Sequence, residues 1–575
     1  MSMRSTASSQ QLRLRENQLF FALTILIGVL AGLSAVLFTV AIERTSHFFF
    51  GFAPSPARLF LVPTLVSVGT GVLLATVFPQ ARGSGVPQTK AAFHLHDGFI
   101  PARVPLGKLL TGVLCIGSGH SMGREGPSVQ IGAGVASVVG RWVRLPPARV
   151  RELVPVGAAG ALSAAFNTPI AAVLFALEEI IGNLNAPLLG STVIASVSAV
   201  IVERSILGNE ALFRVPTYHL VHPAELGAYA ILGIVGGVVS LVFCKGLLAL
   251  RQVFLRLPPS TKVIQPAIGG ALIGAILIVA PQVMGVGYEY VDQALNGGLV
   301  FRTLLLLCAL KMVATVISYA SGNAGGIFAP SLYIGAMAGG AVGTLVQWLA
   351  PFPTGEPGAY AIVGMGTLFA GIIRAPMTSV FMIFEITQDY QILVPLMVAN
   401  LLSFIISRRY QPTPVYHALL QQDDVHLPVG AAERSASAVA ARDLMEPDVP
   451  LLPADHSVES AWQLAQSNGG SAHVVGTREH VVGLLSSQCL AGTVGAGRGD
   501  QPLRSLVEGP MIHVHADHPL DVVLDRLAQS DGLLPVLSRE HARRLEGAIT
   551  MDSIVRYIHR RRASAPGPST KRADE

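Results

Sequence analysis

Along the first 410 or so positions, apolar residues come in long unbroken runs instead of alternating with polar ones. The runs extend from "LFFALTILIGVLAGLSAVLFTVAI" (19–42) to "ILVPLMVANLLSFIIS" (392–407). Several reach the roughly 20 residues a helix needs to cross a bilayer. Others are shorter and broken by glycine or proline, the pattern of helices that stop partway through a membrane and line a site. The pattern changes near residue 418. "QQDDVHLPVGAAERSASAVAARDLMEPD" (421–448) is polar and linker-like, and the remaining stretch has the length of one soluble domain.

Composition rules out a soluble globule. Of the 575 residues 51% are hydrophobic and only 13% charged, with a mean hydropathy of +0.54, which fits a polytopic membrane protein. Arg4, Arg13 and Arg15 precede the first long run, and Arg408 and Arg409 follow the last. The positive-inside rule therefore places both termini in the cytoplasm, with an even number of crossings. The net charge of +5 is accounted for by these flanks and by "RYIHRRR" (556–562), so no nucleic-acid surface is expected. Cys115, Cys244, Cys308 and Cys489 form no CxxC pair, which indicates neither a disulfide framework nor a zinc site. The first residues lack the layout of a cleaved signal peptide, so the first helix is expected to remain.

The membrane part contains an internal repeat. "GPSVQIGA" (126–133) is similar to "APSLYIGA" (329–336), and "VGAAGALSAAFNTPIAAVLFALEE" (156–179) aligns without a gap to "VGMGTLFAGIIRAPMTSVFMIFEI" (363–386). Duplicated halves are a transporter architecture, with the substrate site where broken helices of both halves meet. The alignment also sorts the glutamates. Glu178 matches Glu385, so both are expected to serve the scaffold by bonding backbone near helix ends. Glu125 matches Phe328 and Glu179 matches Ile386. These two carboxylates break the symmetry, which points to function.

In "GREGP" Glu125 lies two residues before Pro127, and proline favours a helix's first turn. A helix N-terminus carries free N–H groups and partial positive charge, so it attracts anions. A carboxylate there can stand in for a mobile anion. The blander alternative is a helix cap or a partner for Arg124. "RGSGVPQ" (82–88) sets Ser84 before Pro87, and "GNAGGIFAPSL" (322–332) sets Ile327 and Phe328 before Pro330. Three such ends converging make an anion site without a lysine or arginine.

"GSGVP", "GREGP", "GGIFAP" and "PVYHALL" occur in this order, and residues 18–420 resemble the CLC chloride channel and transporter family. The resemblance implies an all-α, internally duplicated (inverted-repeat) helical bundle with broken helices. It implies a homodimer in a bacterial-type inner membrane, each subunit with its own anion pathway. Ser84 and Tyr416 would offer hydroxyls, and Ile327 and Phe328 amides, to a central chloride. Gly83, Gly85, Gly123, Arg124, Gly126 and Gly326 would support the helix ends. Glu125 would be the gate, blocking the anion site when ionised and admitting chloride when protonated. In exchangers the position of Glu179 resembles an internal proton acceptor, which favours chloride/proton antiport over a passive chloride channel. Glu178 and Glu179 are adjacent, about 100° apart on a helix, so one can serve structure while the other meets the cytosol. Ser84 resembles the chloride-preferring members.

The expected organisation is a cytosolic segment (1–17), the membrane domain (18–420, repeats about 18–220 and 221–410), a linker (421–439), two units (440–498 and 502–562) and a disordered tail (563–575). The two units resemble a cytosolic α/β pair of CBS domains. Where nucleotide-binding CBS domains tend to carry Asp three residues after a Ser or Thr, this chain has Cys489 after Ser486 and Ser553 after Thr550. That departure argues against a bound adenine nucleotide and for a dimerisation or gating module, with no other cofactor. "HVHADH" (513–518) clusters His513, His515 and His518, but no carboxylate or Cys completes a metal set. A membrane-embedded enzyme using Glu125 and Glu179 as acid and base finds no supporting signature. A sensor built around the CBS pair would leave the asymmetric glutamates unexplained.

Overall fold

The computed structural model describes residues 2–51, 54–184, 188–208, 213, 220–427, 439–507, 511–518, 520–538, 541 and 543–563. The chain divides into two units, Met1–Pro428 and Val429–Glu575. Most of the expected linker (428–438) and the expected tail from 564 onward lie outside the described residues.

The first unit is helical throughout. Its first eight helices are α1 (Ser2–Phe50), α2 (Pro56–Thr76), α3 (Val86–Leu95), α4 (Arg103–Gly117), α5 (Glu125–Trp142), α6 (Pro147–Phe166), α7 (Pro169–Phe175) and α8 (Leu189–Leu207). Eight more come after them: α9 (Glu225–Arg256), α10 (Gln265–Val279), α11 (Tyr288–Leu295), α12 (Phe301–Ala320), α13 (Phe328–Leu349), α14 (Pro357–Ile373), α15 (Pro376–Thr387) and α16 (Leu393–Tyr410). A short α17 (Val415–Gln422) closes the unit. Among the described residues, seven helices are long and apolar enough to cross a membrane. Large apolar side chains such as Leu37, Leu65, Ile201 and Leu401 lie exposed on these helices, as lipid contact requires.

Packing repeats as the sequence does. α5 packs on α6 as α13 packs on α14, and α1 on α8 as α9 on α16. At the first pair of crossings the backbones touch through glycine. A Cβ on Gly132 would run into the Gly157 carbonyl oxygen, and one on Gly335 into that of Gly364. Small residues let helices without a hydrophobic driving force approach closely. α6 and α14 both end on a left-handed residue, Asn167 (φ 57°) and Arg374 (φ 72°), and Pro169 and Pro376 then start α7 and α15.

Glu178, at the end of the α7 segment, accepts hydrogen bonds from the Met377 N–H (3.3 Å), the Thr378 N–H (2.9 Å) and the Thr378 hydroxyl (2.8 Å). Glu385, at the end of α15, accepts them from the Ile170 (2.9 Å) and Ala171 (2.8 Å) N–H groups. Each carboxylate caps the N-terminus of the other's helix, where four N–H groups lack helix partners. The two helices therefore run antiparallel, which is the relation an inverted repeat imposes. The matched glutamates do what their symmetry implied.

The chain does not leave the first unit at 421. α17 runs to Gln422, and Arg251 holds its end through the Leu419 carbonyl (3.3 Å), Gln422 Oε1 (2.9 Å) and Asp423 (2.5 Å). Leu427 is buried with Ala91 and Leu420.

In the second unit, β1 (Leu451–Leu452), β2 (Ala472–Gly476) and β3 (Val481–Ser486) form one sheet, and β4 (Leu533–Leu537) with β5 (Leu545–Thr550) another. The helices are α18 (Ala441–Leu444), α19 (Val458–Asn468), α20 (Ser487–Gly495), α21 (Leu520–Leu527) and α22 (Met551–Ala563). The two halves are not self-contained. Ala441 and Leu444 of α18 pack with Val514, Leu534 and Ile549 of the second half, whereas Leu503 packs with Leu452, Val458 and Leu485 of the first. The opening elements are exchanged because each supplies the apolar cover that the other half's sheet needs.

Candidate anion and proton site

Three loops are stitched together by backbone hydrogen bonds. The Gly83 N–H donates to the Asn323 carbonyl (3.3 Å), and the Gly325 N–H to that of Gly83 (3.1 Å). Gly123 and Gly326 exchange both of their bonds at 2.8 Å. Each loop leads into a helix, so the N-termini of α3, α5 and α13 converge, as the three motifs suggested. Close approach dictates the glycines. Gly83 (φ 76°) and Gly85 (φ 102°) occupy the left-handed region, and a Cβ on Gly126 would lie 2.5 Å from Ser84 Oγ. Lys108, fully buried in α4, fixes the first loop by donating to the carbonyls of Ala81 (2.8 Å) and Gly83 (2.5 Å).

Where the loops meet, donors gather without acceptors. Ser84 Oγ and Tyr416 Oη are fully buried and approach each other, and neither makes a well-formed hydrogen bond among the described residues. A buried hydroxyl without a partner costs about 1–3 kcal/mol, so two of them together mark a place for something that accepts. Ile327 is the N-cap of α13 and Phe328 its first residue, so neither amide has a helix carbonyl to donate to. The Phe328 ring holds this turn in place against Phe166, Phe175 and Phe369, with centroids 4.9, 5.6 and 4.4 Å away. The result is a set of neutral donors at the positive ends of helices.

Glu125 is the first residue of α5 and fully buried. Its Oε1 accepts from the Tyr288 hydroxyl at 2.6 Å and its Oε2 from the Ala329 N–H at 3.3 Å. The carboxylate thus spans the two repeats, leaving one N-terminus to meet another. Arg124 is not its hydrogen-bond partner. That guanidinium faces Glu43 at 3.6 Å and lies over the Tyr288 ring, 5.6 Å from its centroid.

Glu179 differs from expectation. Residues Ala176–Ile181 form a π-turn in place of a regular α-helix, a distortion often found at functional sites. It sends Glu178 to the α15 N-terminus and Glu179 inward. Glu179 does not meet the cytosol directly. Its side chain is 5% exposed and ion-paired at 3.0 Å with Lys90 of α3, itself 13% exposed. A buried carboxylate requires such a partner, and Lys90 covers it.

A cavity of about 280 Å³ reaches the site's edge at Gly83 and is lined by Arg82, Gln88, Arg251, Gln265, Tyr319 and Asp423 among others. Arg82 pins its wall by donating to the carbonyls of Gly322 (3.1 Å) and Ser321 (3.2 Å) and to Gln265 Oε1 (3.1 Å).

The second unit shows what its departures from pattern do. Ser486 Oγ accepts from the Cys489 N–H at 3.2 Å, and Thr550 Oγ1 from the Ser553 N–H at 3.3 Å, so both hydroxyls cap helices. His513 and His515 each turn Nδ1 to a backbone carbonyl, those of Met511 (2.9 Å) and Leu537 (2.8 Å). No group of three or more metal-ligating side chains occurs among the described residues.

The voltage gated chloride channel family model matches residues 64–408, and the CBS domain model matches residues 503–560. The H(+)/Cl(-) exchange transporter ClcA of Vibrio campbellii is 33% identical over 69% of this chain and 88% of its own length. ClcA of Vibrio cholerae is 32% identical over 70% and 88%. Among solved structures, a slow cyanobacterial Cl-/H+ antiporter superposes with a TM-score of 0.65 at 30% identity, over 70% of this chain and 97% of that one. A eukaryotic CLC transporter, 21% identical, shares the fold over 93% of this chain and 97% of its own with a TM-score of 0.60.

Proposed function

The chain belongs to the voltage gated chloride channel family, and from that premise we propose that it exchanges chloride for protons across a membrane. The observation that carries the reading is the meeting of two buried hydroxyls, Ser84 on the stitched loops and Tyr416 at the start of α17, with the buried carboxylate of Glu125. The names of the Vibrio relatives support it.

Chloride sits between the Ser84 and Tyr416 hydroxyls and the amides of Ile327 and Phe328. Neutral donors hold it strongly enough to enter and weakly enough to leave. Ionised Glu125 occupies the neighbouring anion position, bound by Tyr288 and Ala329. Protonation removes the charge those donors hold, and the side chain yields its place to chloride. Glu179 takes up protons from the cytoplasmic side, where Lys90 covers it. Both termini are cytoplasmic, the membrane is a bacterial-type inner membrane, and the protein works as a homodimer. A passive channel is the second reading, favoured by the ion pair that ties Glu179 to Lys90.

The test is the purified protein in liposomes under a chloride gradient, with external pH and chloride recorded with and without a protonophore. Uphill proton movement driven by chloride is expected. Glu179→Gln should keep chloride flux and lose proton flux. Chloride flux without proton movement in the unmodified protein would establish the channel instead.

A further inference from the structure

The duplication reaches further than the helices. "GSGV" (83–86) and "GVGY" (285–288) share both glycines at a shift of 202 positions. Gly285 (φ 55°) and Gly287 (φ 80°) repeat the left-handed geometry of Gly83 and Gly85. Lys311 repeats Lys108, since its buried ammonium donates to the carbonyls of Val283 (3.0 Å) and Gly285 (2.7 Å). Each loop then starts a helix, α3 at Val86 and α11 at Tyr288. The scaffold that presents Ser84 in one repeat has a twin in the other.

The twin presents something different. Val286 stands where Ser84 does, and the hydroxyl appears two residues later, on Tyr288 in the place of Val86. That hydroxyl reaches Glu125 Oε1 at 2.6 Å. The ring is fixed from two sides, by Phe213 in an edge contact (centroids 5.2 Å apart) and by the Arg124 guanidinium. Arg124, Lys311 and Tyr416 also act electrostatically on Glu125, and Glu43 faces Arg124 at 3.6 Å. Of these groups, Tyr288 alone donates a side-chain hydrogen bond to Glu125 among the described residues.

We propose that Tyr288 is a latch, a positioning residue that holds the ionised Glu125 carboxylate in its anion position and so sets how acid the solution must be before the gate opens. The inference rests on the gating reading of Glu125. A donor to the ionised form stabilises the closed state. Removing it should let the gate open at higher pH. One hydrogen bond to a charged group corresponds to a shift of about one pH unit or more, a tenfold change in occupancy.

The experiment measures chloride efflux from liposomes against pH for the full chain, Tyr288→Phe, Glu125→Ala and the double variant. Phenylalanine keeps the ring on Phe213, so only the hydroxyl is lost. Tyr288→Phe should raise flux at neutral pH and move the midpoint about one unit alkaline. In the Glu125→Ala background it should change nothing, since no carboxylate remains to latch. Chloride titration calorimetry of the detergent-solubilised protein gives a second readout, with Tyr288→Phe binding chloride about tenfold more tightly because its competitor is released. An unmoved midpoint with unchanged chloride affinity overturns the latch. So does a shift that persists without Glu125. Failure of the gating reading is distinguishable, because Glu125→Ala alone would then leave the pH profile unaltered.

Discussion

Replacing Glu178 by alanine should damage the scaffold and spare the transport chemistry. Its carboxylate accepts three hydrogen bonds at the start of α15. Thr378 is 1% exposed, so its N–H would be orphaned, whereas Met377 is 44% exposed. One buried orphan donor costs about 1–3 kcal/mol, and the loss of cap-like charge at a helix start adds about 0.5–1 kcal/mol. The expected destabilisation is about 2–4 kcal/mol, with Glu178→Gln losing roughly half because one acceptor oxygen survives. Glu385→Ala should match it, since that carboxylate performs the same task for Ile170 and Ala171. The double variant should fall short of the sum, because both changes loosen the same helix pair. Thermal melting of the purified protein measures the stability, and proton-coupled chloride flux in liposomes measures the function. A Glu178→Ala protein that melts normally yet no longer couples protons would refute the reasoning, and so would unequal effects of the two alanines on coupling.

Gly126→Ala should place a methyl group 2.5 Å from Ser84 Oγ and 3.3 Å from the Gly326 Cα. The strain of such overpacking is about 1–3 kcal/mol, and its relief displaces Ser84, so chloride affinity by calorimetry should fall at least tenfold with little change in melting. Lys108→Met keeps the volume but releases the carbonyls of Ala81 and Gly83. It should lower thermal stability by about 2–4 kcal/mol and weaken chloride binding as well, whereas a stable variant with normal binding would show that the lysine does not hold the Ser84 loop.

The parts of the site legible in the sequence are those with a local signature. Pro127 and the flanking glycines betray the α5 start, so the residue order alone places Glu125 on a helix N-terminus. Pro169 and Pro376 anchor the repeat alignment that pairs Glu178 with Glu385. The parts that stay hidden depend on distant partners. Lys90 meets Glu179 across 89 positions, and nothing near either residue announces the pair. The π-turn that turns Glu179 inward leaves no mark of its own in "ALEEII". Tyr288 has a faint signal, since "GVGY" keeps only the two glycines of "GSGV", too little to stand out until the lysines and the φ angles agree. The exchange of α18 and the Leu503 segment between the two halves of the second unit is hidden for a similar reason, because apolar openers of the same length suit either core.

Duplication also explains how function is distributed. Features that occur twice carry load: the lysines that clamp a loop, the glutamates that cap each other's helix, and the glycines at the crossings. Features that occur once are those proposed to carry chemistry. Ser84 faces Val286 in the alignment, Glu125 faces Phe328, Glu179 faces Ile386 and Tyr288 faces Val86. An ion path with a direction cannot be built from identical halves, because every donor on one side would have its equal on the other. Single substitutions on a shared backbone resolve this with little disturbance, since each new side chain inherits a place that the duplicated scaffold already holds rigid. Glu125, the proposed gate, is the clearest case. Glu125 starts one copy of a helix, and both of its oxygens are bound by N-termini from the other repeat, α13 through Ala329 and α11 through Tyr288. Its release is therefore governed in part by groups outside its own helix, and the pH at which the protein transports should follow Tyr288 as well as the adjacent Arg124.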